Sequence, residues 1–96
     1  MNKSDYEKRI KTQLDEVKTE IDKLKVKAEK AGAELQAEYE KRLETLKIKQ
    51  EETKEKLAEL QHRSSDAWED LKVGIDMAWE DLKEAVKSAN ERFKSH

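Results

Sequence analysis

The side chains able to do chemistry are few in kind. Histidine occurs at His62 and His96, cysteine nowhere, and the remaining ionisable groups are carboxylates, lysines and four arginines at 9, 42, 63 and 92. A metal site needs three or four converging ligands. Two histidines 34 residues apart do not supply them within one chain, so no metal or other cofactor is expected. Adjacent carboxylates recur at Glu51/Glu52, Glu69/Asp70 and Glu80/Asp81. Acid–base catalysis requires a cleft that separates the pKa values of such a pair. Here lysine and arginine stand in reach at helical spacing (Glu7–Lys11, Glu38–Arg42, Glu52–Lys56), which reads as solvated helix faces. With glycine only at 32 and 74, no phosphate-cradling loop can be written. The sequence therefore predicts a chain that is not an enzyme.

Net charge is −2, and the lysines at 23, 25, 27 and 30 are interleaved with Asp22 and Glu29. That excludes a basic stripe for nucleic acid. No apolar run approaches the ~18 residues needed to span a bilayer. No leader-like apolar stretch follows the first residues, so the expected location is cytoplasmic.

The elements that must carry these side chains are helical. Ala, Glu, Lys, Leu and Arg supply 55 of the 96 residues, and proline is absent. Ser4 and Glu7 stand at capping-box spacing. From there an apolar seam runs through Tyr6, Ile10, Leu14, Val17, Ile21, Leu24, Ala28, Ala31, Leu35, Tyr39, Leu43, Leu46, Gln50, Thr53, Leu57 and Leu60. Every step is 3 or 4, and the mean step is 3.6, the repeat of a straight α-helix. Arg63-Ser64-Ser65-Asp66 breaks it, with Asp66 and Glu69 placed to cap a second helix over about 66–94.

The second helix holds a repeat. Ala67-Trp68-Glu69-Asp70-Leu71-Lys72 returns eleven residues later as Ala78-Trp79-Glu80-Asp81-Leu82-Lys83. Eleven residues make three turns, so these positions stack on one face with slow drift. Gly74, matched by Ala85, suggests close approach of another helix.

Gly32 offers two architectures. No serine, threonine, aspartate, asparagine or proline flanks it, and the seam crosses it in phase. The favoured reading is an all-α helical hairpin: one helix over about 4–62, ~90 Å long, and a shorter antiparallel return helix. The alternative is a monomeric three-helix bundle broken at Gly32, with segments 4–30, 34–62 and 66–94. In the hairpin, Leu35, Leu43, Leu46, Leu57 and Leu60 pack within the chain on Trp68, Leu71, Ile75, Trp79, Leu82, Val86 and Phe93. Tyr6, Ile10, Leu14, Val17, Ile21, Leu24, Ala28 and Ala31 are then a bare face. Such a stripe calls for a partner. The expected one is a second copy in an antiparallel dimer, its backbones crossing closely at Ala28, Ala31 and Gly32; a different protein is the other candidate.

Asp66-Ala67-Trp68-Glu69-Asp70-Leu71-Lys72-x-Gly74, then Ala78-Trp79-x-Asp81-Leu82-Lys83-x-Ala85 and a terminal Phe93, resemble a family of short bacterial coiled-coil proteins of about this length, some labelled stress-response proteins. Glu38-Tyr39-Glu40 and the long charged helix look like that family too. The resemblance implies a bacterial cytosolic protein acting under stress, with no catalytic or binding residues to carry over. The expected function is non-enzymatic: structural or interaction work by helix-face packing, with itself or a protein partner. The other reading is an amphipathic-helix protein that opens its Trp68/Trp79 face to lipid. The residues from 64 onward carry 5 basic and 8 acidic groups, which disfavours anionic membrane.

Overall fold

A computed structural model describes residues 2–63 and 68–94. Within them the chain is three α-helices: α1 (Lys3–Lys30), α2 (Ala33–Gln61) and α3 (Trp68–Lys94). The molecule measures 51 × 17 × 17 Å. A continuous helix over 4–62 would be nearly twice that length, so the long-helix hairpin is corrected to the three-helix architecture. The all-α class stands, and the break falls at Gly32.

The physical reason is the weakness of the break set against the strength of burial. The helix gives way over two residues, Ala31 (φ −73°, ψ 154°) and Gly32 (φ −63°, ψ 159°), both extended. The Gly32 carbonyl accepts from the Leu35 and Gln36 amides at 3.0 Å each, so it caps α2 without any side chain. Breaking the helix there forfeits a few hydrogen bonds of about 1 kcal/mol net each. Folding back buries Tyr6, Ile10, Leu14, Val17, Leu24 and Ala28, and the larger of these are worth about 1.5–3 kcal/mol apiece.

The seam itself holds. Each of its sixteen positions is buried or half-buried, and α3 adds Ile75, Leu82, Val86, Ala89 and Phe93 to the same core. The residues assigned to a bare self-association face are thus core residues of one chain, and the ground for the antiparallel dimer through that face falls away. Leu35, Leu43, Leu46, Leu57 and Leu60 lie on the α2 side of the core, and Trp68, Leu71 and Trp79 pack at its edge.

Two local expectations shift. The cap of α1 is Asn2, whose Oδ1 accepts from the Asp5 amide at 2.8 Å; Ser4 lies inside the first turn, and Glu7 pairs with Lys3 at 3.5 Å. A Cβ at Gly74 would meet only the Lys56 Nζ, at 4.0 Å, so no helix approaches closely there. The Asp66 cap lies outside the described residues.

Candidate interaction surface

α1 and α3 run parallel, and their N-terminal ends meet in an aromatic and polar cluster. The Tyr6 hydroxyl donates to Asp76 Oδ1 at 2.5 Å, with the Lys72 carbonyl at 3.3 Å. The Trp68 ring lies 5.8 Å from the Tyr6 ring. The Lys72 ammonium sits 5.6 and 5.7 Å from the two ring centres, within cation–π range. Burial, then the hydrogen bond to Asp76 and its charge, push the Tyr6 phenol well above its ordinary value. At the opposite end Tyr39 stacks on Phe93, centroids 3.9 Å apart, and Arg92 Nε donates to Glu38 Oε1 at 2.8 Å. That bond holds the Glu38 carboxyl below the usual range, against an opposing effect of desolvation. These clusters fasten helices together.

The chemistry-bearing groups stay apart. Glu51, Glu52, Glu69, Asp70, Glu80 and Asp81 are all exposed, and Asp81 is taken by Lys49 at 2.5 Å. His62 is the exposed C-cap of α2, and His96 lies outside the described residues. Among the described residues no three histidine, aspartate or glutamate side chains converge as metal ligands. Nor is any described helix long and apolar enough to cross a membrane.

α1 and α2 do not close fully on each other. A groove of ≈ 1000 Å³ runs there, with Ile21, Ala28 and Leu43 among its apolar lining and Ile48 also on its wall. Ile21 and Leu43 are half-buried, and Ile48 is 54% exposed. Its charged walls are Asp22, Glu29, Glu40, Glu44, Glu51, Glu52 and Glu55 against Lys18, Lys25, Lys47 and Lys54. On α2 the order Glu40, Glu44, Ile48, Glu51, Glu55 keeps helical spacing, so one exposed aliphatic sits in a ridge of glutamates. The seam placed Ile21 and Leu43 at interfaces but passed over Ile48, which stands off-phase between two lysines. Val73 and Met77 form a smaller exposed pair on α3, 61% and 69% exposed.

No family model, curated protein or solved structure matches this chain.

Proposed function

We propose that the chain is a non-enzymatic interaction element that receives an amphipathic helix of a protein partner in the α1–α2 groove. The observation that carries this is the exposed Ile48 on the wall of a groove floored by half-buried Ile21 and Leu43. A fourth helix would complete their burial with the packing already used between the three. The occupant's chemistry follows from the walls. Seven carboxylates face four lysines, so the fitting helix carries leucine-like residues on one face and lysine or arginine along its flanks. The tryptophans support this reading over a lipid one, because Trp68 and Trp79 are packed against the core.

The test uses a synthetic basic amphipathic peptide with an apolar stripe, and an acidic peptide of the same stripe as control. Amide chemical shifts should move at Ile21, Leu43 and Ile48 with the basic peptide, and the affinity should fall with salt. Ile48→Glu should weaken binding at least tenfold without unfolding a bundle whose residue 48 is already in water. Shifts elsewhere, equal binding of the acidic peptide, or a tryptophan blue shift with neutral vesicles in place of peptide binding would each defeat the proposal.

A further inference from the structure

The junction between α1 and α2 is built as a hinge. Both φ values there, −73° at Ala31 and −63° at Gly32, are already helical; only the two ψ values, 154° and 159°, are not. No local steric contact or side-chain cap at Gly32 locks them in the extended state. No described residue has a positive φ, Gly32 makes no side-chain cap, and a Cβ on it would meet nothing within 4 Å. The apolar seam crosses the junction at Leu24, Ala28, Ala31, Leu35 and Tyr39 without a change of phase. Turning two ψ angles to about −42° therefore joins α1 and α2 into one rod with a single apolar face, about 88 Å long at 1.5 Å per residue.

We propose that α1 exchanges between two copies of this chain: the Ala31–Gly32 hinge straightens, and each α1 packs on α2 and α3 of the partner copy. The geometry closes without new contacts. α1 lies antiparallel to α2 about the hinge, so a second rod set antiparallel, with its two-fold axis at residues 31–32, returns every α1 residue to the same neighbours. Tyr6 again meets Asp76, and the Lys3 ammonium, which donates to the Arg63 carbonyl at 3.0 Å in the single chain, meets it again, now across chains. Ala28, Ala31, Gly32 and Ala33 lie at the crossing, where bulky side chains would collide. The orphan carbonyls at the end of α1 and the orphan amides at the start of α2 gain helical partners. The α1–α2 groove survives, with one wall from each copy, so this inference stands independently of what the groove holds.

Gly32 supplies the test, because two substitutions fit the closed hairpin and push opposite ways. Gly32→Ala favours the rod by about 1 kcal/mol at each of two hinges, so dimerisation should strengthen about 30-fold. Gly32→Pro suits φ −63°, suits the extended ψ of Ala31, and loses no backbone hydrogen bond in the hairpin among the described residues. In the rod it should weaken dimerisation about 1000-fold, from about 2 kcal/mol per hinge relative to glycine. Each protein is refolded at micromolar and at millimolar concentration, then measured by light scattering and small-angle scattering. The expected result is a dimer at high concentration for the natural chain, more for Gly32→Ala, none for Gly32→Pro, with a longest dimension near the rod length. Three results overturn the proposal: monomers throughout for both the natural chain and Gly32→Ala, a Gly32→Pro dimer as strong as the natural one, or a dimer no longer than the 51 Å monomer.

Discussion

α2 and α3 form the firm half of the bundle, and α1 the loose one. α3 sinks Ile75, Leu82, Ala89 and Phe93 into the core, and two ion pairs, Lys49–Asp81 and Arg92–Glu38, bind it to α2. The polar ties of α1 from Lys3 to the Arg63 carbonyl and from Tyr6 to Asp76 sit at its N-terminal end. Its C-terminal half runs along an open groove to an unlocked hinge. Apolar burial of similar depth can thus serve two ends: on α3 it is reinforced by named polar partners, and on α1 it holds the element proposed to exchange between copies.

The largest test of this contrast is paired truncation. Leu82→Ala, in a site with no exposure, should cost about 3 kcal/mol. Ile21→Ala, on the half-open groove, should cost less, about 1–2 kcal/mol, since part of its side chain already faces water. Urea unfolding followed by tryptophan emission measures both. Equal losses would mean that the groove is as tightly packed as the core.

How much of this was legible in the residues follows the same division. The seam was readable throughout: even Gln50 and Thr53, its two polar members, are buried, and Thr53 satisfies its hydroxyl on the Lys49 carbonyl at 2.9 Å. The break at Gly32 was readable only as an alternative. Local propensity separates the two states there by about 1 kcal/mol, and continuity of phase argued for the wrong one. What chose the bundle is burial between segments far apart in sequence, a quantity no window of residues contains. The Tyr6–Asp76 bond spans 70 residues and was invisible for the same reason. So was the groove, which depends on how far α1 and α2 stand apart and not on the spacing of Ile48 along its own helix.

Tyr6→Phe tests the tie at the N-terminal end of α1. It removes a bond to an exposed carboxylate that water can then solvate, so the expected loss is about 1–1.5 kcal/mol. The pH dependence is more specific. The phenol ionises less readily folded than unfolded. Its contribution is therefore fully present below the ordinary tyrosine value of 10.0 and is lost as pH rises beyond it. The natural chain should lose stability above pH 10 more steeply than Tyr6→Phe does. Parallel alkaline titration curves would show that the hydroxyl is not what pins α1.

The smallest effect is expected at Glu38, which Arg92 reaches from α3 at 2.8 Å and Arg42 from its own helix at 3.5 Å. The pairs lie at the surface, where solvent and salt screen them. Arg92 lowers the Glu38 carboxyl below its ordinary 4.5. The stabilising contribution is therefore present above that value and disappears as pH falls through the lowered one. Glu38→Gln should lower the urea midpoint slightly at neutral pH, by less than Tyr6→Phe. The difference should vanish in acid, where the natural carboxyl is itself protonated, and shrink in high salt. If the deficit instead persists in strong acid, the side chain at position 38 acts through packing on α3, and the charge pair is not part of what makes α2–α3 the firm half.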